Sequence, residues 1–360
     1  VMTTTSPAAP ASKTIYDLLG RPTISLQQGF GSGQWIATIT HYDSRGNVEY
    51  QSNPFFAANS GSGAATATGS IEWTSTSFDA LNRPTSITAP GSGTTHIDYQ
   101  GLKKITTLPA NADGFAQTLT ESRNGAGEII STTDAYTLET QFEFDAAGNQ
   151  TRMIQGANVT TMSYDSLGRK TSMTDPDMGT WTYAVNDAGE TIRQVSPRGT
   201  CTASRYDGRG RVWQRSDYAN GSCTGSPEAQ ATWAFDTTAN GIGALAFETS
   251  SVNAVTRIVR TPSYDSMGRI ASVSSVLDGK TYLEQSTYDQ YGRAFQTFFT
   301  APGTATTGEL IEYNSNGYQY RVRSAFSPYP FTSGMVYSEV QAMNAWGKVT
   351  QETRMAGAHV

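Results

Sequence analysis

The sequence predicts an all-β repeat protein, a β-hairpin ribbon or solenoid rather than a compact globule. Three observations predict it. A six-residue frame recurs from "YDLLGR" at Tyr16 to "MNAWGK" at Met343. The residues on either side of each copy alternate with the period of two that marks strands. Gly and Pro interrupt every window too often for a helix, and no apolar stripe is sustained at i, i+3 and i+4.

The frame occurs fourteen times, beginning at Tyr16, Tyr42, Phe78, Ile97, Arg123, Phe144, Tyr164, Val185, Tyr206, Phe235, Tyr264, Tyr288, Tyr313 and Met343. From Arg123 to Tyr206 the spacings are 21, 20, 21 and 21 residues, and elsewhere they run from 19 to 36. A period near 20 marks a repeat architecture. Position two is Asp in ten copies and Asn in four, and position five is Gly in twelve, with Asn82 and Ala239 the exceptions.

These columns read as a type I turn. Asp or Asn at its first position bonds the backbone two residues on, and Gly at its fourth takes the left-handed conformation of a G1 bulge. Asn82 tolerates that conformation, whereas Ala239 fits it poorly. Each frame is therefore a hairpin tip. Its turn motif is plainest in Tyr164, Asp165, Gly168 and Arg169, in Tyr206, Asp207, Gly210 and Arg211, and in Tyr264, Asp265, Gly268 and Arg269.

The strands follow from what flanks the tips. "TTMSYD" enters one, "RKTSMTD" leaves it and "RVWQRSD" leaves the next, all alternating and rich in β-formers. A second class of turn marks the far ends: "APGSG" at 89, "DPDMG" at 175, "SPRG" at 196 and "LDG" at 277. Two strands per repeat thus zigzag between two turn classes. Two strands for each tip, at about 4.8 Å per strand, give a ribbon on the order of 130 Å along its path.

Composition agrees. The chain has 360 residues, 35 Gly and only 37% apolar residues, with a mean hydropathy of −0.42. An ordinary chain of this length divides into two or three domains. A repeat array need not, because each unit contacts only its neighbours. Residues 1–360 are read as one array, with tips from Tyr16 to Lys348 and no internal boundary. The Gly-, Ala- and Ser-rich stretch 53–70, "NPFFAANSGSGAATATGS", reads as an exposed loop.

The net charge is −6, and Lys and Arg are scattered at position six of the frames rather than gathered in a patch, which argues against a nucleic-acid partner. No run of eighteen apolar residues exists to span a membrane. "VMTTTSPAAPASK" lacks the charged and apolar regions of a signal peptide, so any export signal is expected elsewhere. Cys201 and Cys223, either side of the Tyr206 tip, are too few for a disulfide scaffold or a zinc site. They form either one disulfide or two independent thiols, and an oxidising compartment favours the bridge.

No catalytic residue, metal site or cofactor is expected. His41, His96 and His359 lack a nucleophile in any known local signature, and there is no Gly-x-Ser-x-Gly, His-Glu-x-x-His or phosphate loop. Asn stands freely for Asp at position two, which a turn-capping acceptor allows and an acid or base does not. Ten of the fourteen copies carry Tyr or Phe at position one. These rings suit a ladder stacked across neighbouring repeats, the reading favoured here, or a surface that stacks on sugars.

"YDSLGRKTSMTDPDMGTW", "YDLLGRPTISL", "YDSRGNVEYQSNP" and "YDSMGRIASV" resemble the tyrosine-aspartate (YD) repeats of the RHS family, the bacterial rearrangement-hotspot proteins, and are most similar to the B and C components of insecticidal Tc toxin complexes. The resemblance covers Tyr16 to Lys348. It implies a spiralling β-ribbon that forms part of a hollow RHS shell, secreted or at the bacterial cell surface. Such a shell encloses a C-terminal toxin or effector domain and helps to deliver it. The partners implied are the remainder of its own polypeptide or toxin complex and the enclosed cargo domain. An extracellular adhesion module for glycans or a cell-surface protein is the alternative. The family's closing Asp-Pro-x-Gly region is not matched in "MNAWGKVTQETRMAGAHV", and "DPDMG" at 175 falls where a far-end turn is due. Self-cleavage and toxin activity are accordingly expected outside this chain.

Overall fold

Asp165 shows how a tip is built. Its Oδ1 accepts hydrogen bonds from the backbone N–H groups of Leu167 and Arg169 at 2.9 and 3.0 Å, and Gly168 N–H donates to the Asp165 carbonyl at 3.0 Å. Gly168 sits at φ 76°, where a side chain is strained, and the strand pairing shifts register between Ser163 and Tyr164. The same side-chain cap closes every frame except those at Ile97 and Phe235. Asn82, the Gly substitute, takes φ 61°.

The two exceptions correct the frame reading. At Ile97 the chain turns instead at Gly101 and Leu102, with Gln100 paired to Lys103. Gly at φ 64° followed by a residue of ordinary φ is the pattern of a type II′ hairpin, which needs no carboxylate cap. Asp98 is left to accept from Gln100 Nε2 at 2.7 Å. At Phe235 the unsuitable Ala239 does not enter the left-handed region. The turn widens so that Asp236, Asn240 and Gly243 occupy it, and Asp236 N–H donates to the Ala244 carbonyl.

The computed structural model describes residues 1–6, 8–59, 65–326 and 334–354. Thirty-one strands, every paired neighbour antiparallel, form one continuous hydrogen-bonded sheet, and no helix occurs among the described residues. From Trp73–Phe78 onward each strand pairs with the next in sequence, so the sheet is a long meander with a tip edge and a far edge. The far edge also carries capped turns. Asn111 and Asp134 each accept from backbone N–H groups two and four residues on, with Thr137 at φ 66° in the Gly position.

The accessible surface is 21459 Å² for 38.6 kDa, where a compact monomer of that mass exposes about 14000 Å². The excess follows from a sheet with no second layer. Its two faces still differ. In Glu139–Phe144 the side chains of Thr140, Phe142 and Phe144 are half-buried by their neighbours, while Glu139, Gln141 and Glu143 are exposed. The crowded face continues through the pairs Phe142 with Met153 and Met173 with Trp181.

The sheet branches at Trp35–Tyr42. Its first residues pair with Phe55–Asn59 and its last with Val48–Ser52, so one long neighbouring strand is broken at Asn53 and Pro54. Phe55–Asn59 pairs with Ala65–Ala67, whereas Val48–Ser52 pairs with Trp73–Phe78 and carries the ribbon onward. This accounts for the 36-residue spacing between Tyr42 and Phe78, and it corrects the expectation of an exposed loop over 53–70. Phe55 and Ala57 join Leu26, Trp35 and Ala37 in a cluster of buried apolar residues, with Ala65 and Ala67 packed against it. Alanines that read as loop composition let strands approach closely; Ala37 is fully buried. Residues 60–64 of that stretch and His359 lie outside the described residues.

Candidate functional site

A recurring feature is a latch that ties a tip to the next, present at four tips among the described residues. At Arg269 the guanidinium donates from Nε to Asp265 Oδ2 at 2.8 Å and lies 4.1 Å from the ring centroid of Tyr288, the first residue of the following frame. The Tyr288 hydroxyl donates back to the Ile270 carbonyl at 2.9 Å, one residue past Arg269. Arg21 with Tyr42 and Arg293 with Tyr313 repeat the circuit, with Tyr hydroxyls on the carbonyls of Pro22 and Ala294. Arg211 lies over Phe235, which has no hydroxyl, and there Asp236 replaces it by pairing with Arg211 at 2.6 Å.

At Tyr42, Phe235, Tyr288 and Tyr313 the ring meets a guanidinium rather than another ring, which corrects the expected ring ladder at these tips. A flat cation over a ring and an ion pair along its edge satisfy Arg without burying it alone. Tyr164, Tyr206 and Tyr264 likewise donate to backbone carbonyls, of Gln150, Thr191 and Leu245.

At several tips position two bonds position six. Asp165, Asp207, Asp265 and Asp289 pair with Arg at position six. Asn124 and Asn186 stand opposite Glu128 and Glu190 and donate to them at 2.6 and 2.7 Å. At these two tips a second carboxylate would repel, whereas Asn314 and Asn344 have Tyr318 and Lys348 at position six, so there Asn stands for Asp with no such repulsion.

The tip carboxylates are engaged as acceptors within their own frames. Both Asp165 oxygens already accept, from Leu167 and Arg169 backbone N–H groups and from Arg169 Nε. The Arg169 backbone N–H, with its guanidinium, holds the Asp165 carboxyl below the ordinary carboxylate value, and the Arg211 N–H and guanidinium do the same to Asp207. The Arg269 guanidinium and N–H lower Asp265. Asp236 falls furthest, to about 2, chiefly through its hydrogen bond from Arg211. Burial raises Tyr164 and Tyr313. "DPDMG" forms a turn in which Asp175 accepts from the backbone of Asp177 and Met178. His41 rests against the Trp73 ring at 5.2 Å.

Cys201 opens the strand Cys201–Tyr206 and is almost fully buried; Cys223 lies in the far-edge loop after Val212–Tyr218 at φ 56°. Their Cα atoms are 5.4 Å apart, the spacing of a disulfide. The bridged loop lies on the neighbouring far-edge turn, where a Cβ on Gly221 would be 3.5 Å from the Gly199 carbonyl oxygen, and Arg193 of the strand before that turn donates to the Gly221 carbonyl.

A second site was not foreseen. The tip "YNSNGY" docks on the far-edge turn "GFGSG" nearly three hundred residues earlier. Asn316 Nδ2 donates to the carbonyls of Gly29 and Gly31 at 2.8 and 3.2 Å, Asn314 Nδ2 to that of Phe30 at 2.9 Å, and the Tyr318 hydroxyl to that of Gln28 at 2.8 Å. Asn316 is buried there, and the Tyr318 ring meets Phe30 edge-on at 6.0 Å. A Cβ on Gly317 would lie 3.1 Å from Ala8 and Ala9, so the tip is seated between two consecutive far-edge turns. The ribbon thus comes back to its own beginning. About 22 strand spacings separate the two contacts, a path of roughly 105 Å, or a circle on the order of 34 Å across. In the sequence, position four of this tip is Asn316, and no other frame carries Asn there.

Searches by sequence find no matching protein-family model and no matching curated protein. Solved structures do match in fold. The chain is similar to the crystal structure of TcdB2-TccC3, with a TM-score of 0.77 and 13% identity, over 96% of this chain and 20% of that one. It is also similar to TcdB2-TccC3 without the hypervariable C-terminal region, with a TM-score of 0.56, 13% identity, and 96% and 21% of the two chains covered. TcdB2-TccC3-Cdc42 matches with a TM-score of 0.57, 13% identity and the same coverage. The chain spans about a fifth of the length of these structures. What is shared is the fold, a long antiparallel β-ribbon like that in TcdB2-TccC3, in line with the resemblance read from the repeats.

Proposed function

We propose that this chain is a non-catalytic wall segment of an RHS-type shell that encloses a C-terminal toxin or effector and helps to deliver it. The observation that carries this reading is the return of the ribbon on itself through Asn314, Asn316 and Tyr318, which bends a single-layer sheet around a space instead of packing it into a core. The likeness to TcdB2-TccC3 across nearly the whole chain supports it. So does the distribution of fixed residues, which belong to turns and latches and leave no constellation of nucleophile, base and orienting group. The partners in this reading are the rest of the polypeptide or toxin complex and the enclosed cargo, and the setting is extracellular or at the bacterial surface.

The test is protease protection. The polypeptide bearing this segment is treated with trypsin alongside a variant in which Asn314, Asn316 and Tyr318 are replaced by Ala. Protection of a C-terminal cargo in the first and its loss in the second is the expected result. Equal digestion of the cargo in both would remove the shell reading. A glycan array on the same protein separates the adhesion alternative: selective binding to one sugar class, abolished by changing a few adjacent Tyr residues, would favour adhesion instead.

A further inference from the structure

Asn316, whose amide holds the closing contact, is followed by Gly317. In an Asn-Gly pair the glycine has no Cβ to keep its backbone nitrogen away from the preceding carboxamide. That nitrogen can attack the Asn Cγ: the N–Cγ bond forms, the Cγ–Nδ2 bond breaks, and ammonia leaves with the glycine N–H proton. One water then opens the resulting succinimide to aspartate or isoaspartate. Attack requires the carboxamide to swing free and the glycine N–H to lose its acceptor. In the closed ribbon both are held. Asn316 is 9% exposed, with Nδ2 on the carbonyls of Gly29 and Gly31, and Gly317 N–H donates to the Asn314 carbonyl at 3.0 Å while Gly317 is wedged against Ala8 and Ala9.

We propose that Asn316 and Gly317 form a latent deamidation site guarded by the closing contact, so that a ribbon left open is changed at Asn316 and does not shut again. Aspartate at this position lacks the N–H donors, and its carboxylate would face the carbonyl oxygens of Gly29 and Gly31 unpaired in a buried site. Isoaspartate lengthens the backbone of the turn and moves Asn314 and Tyr318 out of step with Phe30 and Gln28. Three further Asn-Gly pairs, at Asn124, Asn220 and Asn240, serve as internal clocks. Asn124 is tied to Glu128 in its own frame, and Asn220 and Asn240 are exposed. The guard depends on the closing contact, whatever the ribbon encloses.

The test follows all four pairs by peptide-mapping mass spectrometry, with digestion at acidic pH, in the full chain held at mildly alkaline pH. Wild type is compared with N314D, Y318F and N314D/Y318F. Asp at position two caps the Asp165 tip, so N314D keeps the turn while removing the donor to Phe30, and Y318F removes the donor to Gln28. Asn316 in the folded wild type is expected to deamidate about tenfold or more slowly than in the same chain unfolded in urea, because attack waits on a small open population. Its rate should rise across the variants in step with the radius of gyration from small-angle X-ray scattering, while Asn124, Asn220 and Asn240 keep their wild-type rates. Asn316→Asp, made directly, should show the enlarged radius at neutral pH. A folded rate at Asn316 equal to the unfolded one, a rate that is the same in all four proteins, or an Asn316→Asp ribbon of wild-type radius would each overturn the proposal.

Discussion

Asn316 donates from its amide to the Gly29 carbonyl at 2.8 Å across 287 residues of chain. Replacing Asn316 with Ala leaves the carbonyls of Gly29 and Gly31 without that donor in a buried site, at a cost of about 1–3 kcal/mol. Tips and latches elsewhere are untouched, so strand content is expected to hold while the radius of gyration from small-angle X-ray scattering rises. An unchanged radius would mean that Asn314 and Tyr318 hold the ribbon shut without it.

The matching of position two to position six predicts a charge-swap effect. Asn186→Asp places a carboxylate against Glu190, whose Oε2 now lies 2.7 Å from the Asn amide. Thermal unfolding at neutral pH is expected to fall by a few degrees. Adding Glu190→Arg, which recreates the Asp and Arg pair of the Asp207 tip, is expected to recover it. If the double variant unfolds no later than the single one, the pairing rule fails.

Gly210 tests the turn itself. It lies at φ 76°, and a Cβ there would meet Glu190 Oε1 at 3.0 Å. Gly210→Val is expected to cost about 1 kcal/mol or more, read from urea midpoints. Gly208, in the same tip with an ordinary φ and nothing near its Cβ position, is the control, and Gly208→Ala should cost far less.

The depressed tip carboxylates predict acid sensitivity. Asp17, Asp79, Asp165, Asp207, Asp265 and Asp289 all fall below the ordinary value of 3.8, and Asp236 falls to about 2. A carboxyl with a lowered folded value stabilises the fold fully above its ordinary value and loses that contribution as pH falls through the lowered one. Unfolding temperature should therefore be flat down to about pH 4 and drop from there toward pH 2. Asp236→Asn should remove the part of the drop nearest pH 2.

Cys201 and Cys223 predict a redox effect on the far edge. Intact mass under oxidising conditions is expected to be two hydrogens short of the reduced chain. Reduction, which frees a loop with a sequence separation of 22, is expected to cost about 3 kcal/mol on the chain-entropy estimate. An oxidised sample that alkylates at both cysteines would show two independent thiols.

Taken alone, the sequence determined the strands and most of the tips. Turn chemistry is local: Asp165 caps the backbone within its own frame and Gly168 supplies the left-handed residue, so both are legible wherever the chain writes them. The failures mark where locality ends. Ala239 was visibly unfit, but only the structure shows the loop widening to Gly243. The Gly, Ala and Ser of 53–70 resembled a linker because their value lies in closeness to another strand, which composition does not report. The Arg269 guanidinium meets Tyr288 across two strands, a distance that depends on how adjacent hairpins lie. The return of Asn316 to Gly29 depends on the accumulated twist and curvature of the strands between them. A small error at each strand would carry the tip past its slot, so no single window of sequence contains that contact.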